Sequence, residues 1–448
     1  MAPAGSKAEA LVPAPDAEEE KRKGKVMKLI SLHVFQSVCQ HVLTIQSEPM
    51  LVRELCNGDV AETARLLSNT SGLVGLFGLF INQAGGKLSD TTGRKMHLLA
   101  GPLGNILWGL MVFRRPTHRP TVLFCRIMRM MLTTFSNTVM ASACLADVFS
   151  GKELAVAGSK VGAVVGLAIV SVPFLETLML QRLKSPKYTY LALSALAAVQ
   201  VIFDIFCVPE TLDAAKRVVS STANTLAALN PFGFMNIYTR GSPALKGMVT
   251  ITTLQMFLEG KNLSDIVEIW KRDHLKWTIE GSRNFVVTYG ILCTIAGVFI
   301  TPRLLAGTTP KNFTSITNFT NALGFTLRGT AESSAIFLLA MLPMLPGVNG
   351  ASSMSLKAVA TDMATEEGMG KGEFSAWTNN LRALAGAAAP VLIGNYYAWC
   401  IRRKVNPGSA FMLIGFIGAV LPELLMRMMD EKNLRPKPKA AIAAPAAK

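Results

Sequence analysis

The sequence predicts an all-α polytopic membrane protein, with twelve transmembrane helices in two pseudo-symmetric six-helix bundles. Composition is the first reason. Of 448 residues, 50% are hydrophobic and only 17% charged, where a soluble chain carries about a quarter charged. The second reason is the set of long apolar runs. A bilayer-spanning helix needs roughly 20 mostly apolar residues, so twelve use roughly 240 and leave chain for connections. The runs do not alternate strictly, which disfavours a β-barrel. The third reason is an internal repeat.

In chain order, residues 1–27 read as a disordered tail ending in the charge run Glu18-Glu19-Glu20-Lys21-Arg22-Lys23. Spans follow near 29–46, 66–84, 97–113, 121–146, 157–178 and 188–208, making a first bundle over 28–208. The segment 209–243 is the longest polar interruption, with turn signals at Asn230-Pro231 and Ser242-Pro243. A second bundle over 244–428 carries spans near 244–260, 283–302, 312–328, 334–357, 374–398 and 409–428, before a tail at 429–448. The spans at 29–46 and 312–328 are the most polar. Three landmarks recur between the halves. Pro209-Glu210 and Pro422-Glu423 are 213 residues apart, Asp147 and Asp362 are 215 apart, and Pro173 and Pro390 are 217 apart. Near-constant offsets indicate a parallel duplication, the plan of a two-bundle transporter.

Lys and Arg number 45 against 29 Asp and Glu, a net charge of +16. Basic residues flank the spans and fill the tails, so anionic lipid is the expected partner and nucleic acid is not. The excess on the side of the termini lies in the tails; both termini are expected in the cytoplasm. No cleavable signal peptide is visible. The seven cysteines fall mostly inside apolar runs without metal-ligand spacing and read as small buried hydrophobes.

Between the second and third spans the chain reads Gly86-Lys87-Leu88-Ser89-Asp90-Thr91-Thr92-Gly93-Arg94-Lys95. This resembles the G-x-L-x-D-x-x-G-R-K signature of the major facilitator superfamily, and Gly86, Leu88, Asp90, Gly93, Arg94 and Lys95 fill every fixed position. The resemblance implies a gate. Asp90 would face the start of the eleventh helix near Gly372 to Trp377, where unpaired N–H groups favour an anion. Arg94 would pair with an acid at the end of the fourth helix, for which Asp147 is the candidate. These contacts would latch the bundles in one state and break in the other. A weaker resemblance to the drug/H+ antiporter, tetracycline-efflux-like branch rests on Asn230-Pro231-Phe232, Gly370-Lys371-Gly372 with Ala389-Pro390, and Asp147 followed by Lys152-Glu153. Leu154 stands where that branch usually has Arg, and its Gly-Pro-x-x-Gly-Gly pattern is reduced to Val172-Pro173-Phe174.

Polar faces on immersed helices mark the candidate solute site. On the first span, His33, Gln36, Ser37, Gln40, His41, Thr44, Ser47 and Glu48 share an arc of roughly 140°. That stripe must face a wet cavity or another polar helix. On the fourth, Arg126, Arg129, Thr133, Ser136 and Asn137 share roughly 100°. Arg382 lies on the eleventh span and Glu259 at the end of the seventh. A buried charge there costs at least about 2.5 kcal/mol unless paired or hydrated. Three intramembrane arginines point to an anionic solute, because guanidinium forks match carboxylate and phosphate; structural pairing, or snorkelling by Arg126, is the alternative. Proton coupling stays open, with His33, His41, Glu48, Asp204 and Glu259 as titratable candidates.

The expected function is secondary active transport of a small organic solute, anionic rather than cationic, by alternating access; no enzyme is expected, since the sequence shows no P-loop, nucleophile elbow or zinc helix.

 The rival readings are a multidrug or tetracycline-type H+ antiporter, and a non-transporting sensor or scaffold on the same fold. No cofactor or metal is expected, and the chain is expected to act as a monomer. Of the Asn-x-Ser/Thr sites at Asn69, Asn262, Asn312 and Asn318, only Asn262 falls in an expected exterior loop.

Overall fold

The computed structural model describes residues 17–149, 151–213, 217, 230–259 and 264–429, and every regular element among them is helical. The outer parts of both tails, most of the central loop and Asn262 lie outside the described residues. The first half contains α1 (Ala17–Val42), α2 (Ser47–Leu55), α3 (Val60–Thr92), α4 (Lys95–Leu98), α5 (Ala100–Arg114), α6 (Arg119–Thr134), α7 (Ala141–Val148), α8 (Gly151–Leu183) and α9 (Lys187–Phe206). The second contains α10 (Met235–Arg240), α11 (Pro243–Gln255), α12 (Asp265–Asp273), α13 (Ile279–Ile295), α14 (Thr301–Gly307), α15 (Pro310–Gly329), α16 (Ser334–Leu339), α17 (Ala351–Glu366), α18 (Lys371–Arg403), α19 (Ser409–Gly415) and α20 (Leu421–Arg427).

Local chemistry sets many of these boundaries. Ser242 and Thr309 cap α11 and α15, accepting from Leu245 N and Asn312 N at 3.2 Å, and a proline follows each cap. Asp59 caps α3 by accepting from Glu62 N at 3.0 Å. Gly93 ends that helix at φ 103°, ψ 161°, a conformation reserved for glycine. A Cβ there would also strike the Glu210 carboxylate. Gly93→Ala is therefore expected to destabilise the protein by about 1–3 kcal/mol, read as a lower melting temperature in detergent.

One boundary differs from the sequence reading. α1 begins at Ala17, inside the segment expected to be a disordered tail. Glu18, Glu19 and Glu20 sit at the positive start of the helix, and Lys23 ties it to Glu153 of α8 at 2.9 Å.

Among the described residues seven helices, at the second, third, fifth, sixth, eighth, eleventh and twelfth spans, are long and apolar enough to cross a membrane by length and composition. The helices at the first, fourth, seventh, ninth and tenth spans are interrupted or polar. The first span breaks at 43–46, and in the seventh the described helix ends at Leu258 with Glu259 in a turn. Shifting 43 and 44 by the 215 residues between Asp147 and Asp362 gives 258 and 259, where the described helix of the seventh span ends. A π-helical turn at Phe135–Met140 joins α6 to α7 in the fourth span.

The halves meet along α3 with α18 and along α8 with α13. The face where α1 begins and α20 ends is here the proximal face; the opposite one is distal. At the distal end the two halves share one hydrophobic core, in which Val52 and Leu67 of the first join Trp270, Ile393 and Tyr397 of the second. Ion pairs reinforce it: Arg53–Asp273 at 2.6 Å and Arg126–Asp265 at 2.8 Å. Asn395 Nδ2 donates to Asn69 Oδ1 at 2.8 Å. Small residues permit the approach, for a Cβ on Gly75 would lie 2.6 Å from Ala387 N. Toward the proximal face, the ion pairs Lys23–Glu153 and Arg94–Asp147 each stay within the first half.

Candidate functional site

A cavity of about 250 Å³ lies between the halves, just inside the distal closure. His41, Glu48 and Ser71 line it from the first half, and Glu259, Asp265 and Pro390 from the second. Thr44 and Ile45 of the first break, and Glu259 just past the described helix of the seventh span, border it. Unwound backbone at such depth is tolerated where it is buried in protein or faces a cavity.

Above the cavity, Glu48 joins two guanidinium groups. Its Oε2 accepts from Arg126 Nη1 and its Oε1 from Arg129 Nη2, both at 2.5 Å. Tyr190 OH donates to the same Oε1 at 3.2 Å. Arg126 also donates to Thr70 Oγ1 at 2.9 Å, Ser71 Oγ at 2.8 Å and Asp265 Oδ2 at 2.8 Å. Neither arginine snorkels: both are buried. Arg126 is saturated with partners, whereas Arg129 Nε is buried without one. Within the first half, two positive charges face one carboxylate. Asp265, from the second half, completes the balance.

The polar stripe of the first span divides. His33, Ser37 and Gln40 turn into the first bundle. His33 Nδ1 lies 2.9 Å from both carboxylate oxygens of Asp204. Gln40 Nε2 donates to Gln200 at 2.5 Å, and Asn105 Nδ2 donates to Gln40 at 2.7 Å. Their surroundings are another polar helix rather than the cavity. His41 does line the cavity. Gln36 and Asn137 are half-buried, each with its side-chain oxygen buried and unpartnered. Arg382 Nε pairs with Glu259 Oε2 at 2.7 Å, and its side chain is 50% exposed.

At the proximal face, Arg94 Nε donates to Asp147 Oδ2 at 3.1 Å, and Thr211 Oγ1 donates to the same oxygen at 3.0 Å. Asp90 pairs with Arg94 at 2.6 Å, within its own turn. Among the described residues Arg94 is its charged partner, and the Asp90 side chain is 43% exposed. Leu88 is exposed, and a Cβ on Gly86 would meet nothing within 4 Å. Glu210 welds the turn by accepting from Arg94 N at 2.9 Å and Lys95 N at 3.2 Å, while Lys95 Nζ donates to Ile205 O at 2.7 Å.

Glu210 lies in the loop after α9. Burial opposes its ionisation, but the backbone N–H groups of Arg94, Leu212 and Lys95 outweigh burial and hold the carboxyl below its ordinary value. Its stabilising effect is present above about pH 4.5 and is lost as the pH falls through the depressed folded value. Glu210→Gln is expected to flatten the dependence of melting temperature on pH in that acid range.

Sequence reasoning passed over several of these groups. Glu176, Glu268, Lys271 and Arg328 are all buried. Glu176 is a lone acid in an apolar run, and Arg328 sits beneath Phe337 and Phe325, with 5.3 and 5.9 Å to the ring centroids. Residue type and depth could have raised them. Facing partners could not be read from a single helix.

The family model for the Major Facilitator Superfamily matches residues 56–390. The chain belongs to the major facilitator superfamily. It is accordingly a multi-pass integral membrane protein that carries a solute across a membrane. No curated protein matches it. Among solved structures, the human organic anion transporter MFSD10 (TETRAN) is similar at 16% identity and TM-score 0.66, over 90% of this chain and 99% of that one. The nucleoside transporter NupG is similar at 11% identity and TM-score 0.68, over 90% and 100%. A D-xylose-proton symporter gives 14% and 0.64, over 89% and 97%. At these identities the likeness is one of major facilitator fold.

Proposed function

We propose that this transporter is a secondary active carrier of a small organic anion, coupled to protons and working by alternating access. With the termini in the cytoplasm, the distal face is external and the structure faces inward. The observation that carries the reading is the placement of contacts between halves. A shared core and two buried or half-buried ion pairs clasp the distal end, while Arg94 and Asp147 bond within one half.

Charge supports the anion. When the distal clasp opens, Asp265 leaves with the second half, and Arg126 and Arg129 keep only Glu48. One positive charge is then uncompensated in a low-dielectric wall, and a solute carboxylate or phosphate fits it. The gate role belongs to Gly86, Leu88, Asp90, Gly93, Arg94, Lys95 and Asp147, and His41, Arg129 and Arg382 flank the path.

A second reading, efflux of an amine-bearing drug, is favoured by the cavity wall, where Glu48, Glu259 and Asp265 all present carboxylates. Uptake by proteoliposomes decides. Uptake of organic anions, abolished in Arg129→Gln, supports the lead. Transport of cations that is indifferent to that substitution supports the second reading, and no flux of any solute class overturns both.

A further inference from the structure

Glu176 is 1% exposed, on α8, where the transport site has no use for it. Its surroundings are unusual for a carboxyl. Oε1 accepts three bonds, from Gln46 N at 2.9 Å, Ser47 N at 2.8 Å and Ser47 Oγ at 2.8 Å. Oε2 is buried and has no hydrogen-bond partner. The three donors belong to the break in the first span and the start of α2. That start carries partial positive charge and accounts for one oxygen only.

We propose that Glu176 is a proton-binding site, filled when the distal face is open and kept filled by its closure. The inference rests on the alternating-access reading above. Closure brings α12 against α2, and with it Glu268, whose like charge acts on Glu176. Lys271, whose positive charge also acts on Glu176, and Arg272 are both engaged by Glu268, at 2.6 and 2.8 Å. The other charges meeting α8 near this level are Glu280, bonded to Gln181, and Arg283, seated over Phe174. Glu48 on α2 is occupied by its two arginines. An ionised Glu176 would hold a bare carboxylate oxygen in the closed interface, which is costly. A proton from the distal solution adds to Oε2 and neutralises the group, and the three bonds to Oε1 persist. When the halves part in an alkaline distal solution, water solvates the carboxylate and the proton leaves to that solution. Acid on the distal side thus favours closure.

The test uses spin labels on Arg115→Cys and Arg403→Cys, both exposed at the distal end, in an otherwise cysteine-free full-length chain in nanodiscs. The distance between them is followed from pH 5 to 9. The unsubstituted site is expected to give a short distance in acid and a growing long-distance population in alkali. Glu176→Gln, which preserves the Oε1 acceptor, is expected to stay short throughout. Glu176→Asp is expected to restore the pH dependence with a displaced midpoint. A protonated-carboxyl infrared band should be present in the closed parent and absent in Glu176→Gln. If Glu176→Gln follows the same pH curve as its parent, or keeps that band, the proposal is overturned. Failure of the reading beneath it looks different: the parent's distal distance then never changes, at any pH or with any solute.

Discussion

Glu48→Gln is expected to abolish transport and to lower the melting temperature more than any other substitution in the distal cluster. The amide can still accept one hydrogen bond, but the negative charge is gone. Arg126 and Arg129 are then left buried side by side, with Asp265 beside only one of them. Removing one member of a buried ionic cluster costs about 3–5 kcal/mol, because the remaining charge has no counterpart. Glu48→Gln combined with Arg129→Gln restores the balance between Arg126 and Asp265. It is therefore expected to recover much of the lost stability without recovering transport. Melting of the single and double variants measures the coupling between the two residues. Strict additivity would show that Glu48 does not organise the cluster.

Gly75→Leu carries the second large effect, by a steric route. Gly75 on α3 sits against the backbone of α18, and a Cβ would lie 2.7 Å from Ala387 Cα. Both partners are backbone atoms of a long helix, so no side chain can swing aside. Leucine is expected to hold α3 and α18 apart at mid-helix, keep the distal ends from closing, and reduce uptake at least about tenfold, the equivalent of 1.4 kcal/mol. Distances between distal labels should lengthen while the protein stays folded and monodisperse. Wild-type uptake by Gly75→Leu would contradict the close packing of this seam.

Much of the architecture is legible because the bilayer imposes lengths that a sequence must honour. Apolar runs, and the shared offsets of Asp147 with Asp362 and Pro173 with Pro390, are properties of one strand of text. The motif from Gly86 to Lys95 belongs with them, since its Arg94–Asp147 pairing joins a short turn to the end of α7. The stripe on the first span shows where such reading stops. Periodicity puts His33, Gln40 and His41 on one face, but only the position of α9 tells that His33 meets Asp204 while His41 meets the cavity. The break in the first span had a local signal in Pro49, three residues after Gln46, yet a proline near a helix start is equally compatible with an unbroken span. Glu176 had no local signal beyond its charge. Its meaning comes from donors 129 and 130 residues away.

The central claim is that the halves rock about the cavity, so that one face opens as the other closes. Paired spin labels test it most directly, with one pair at Arg115 and Arg403 on the distal face and another at Thr92 and Thr365 on the proximal face. All four positions are exposed and far from the ionic cluster. The account predicts two exchanging populations, a distal-short, proximal-long form and its inverse, whose weights shift with pH and solute. Two fixed distances, or distances that lengthen and shorten together at both faces, would contradict it.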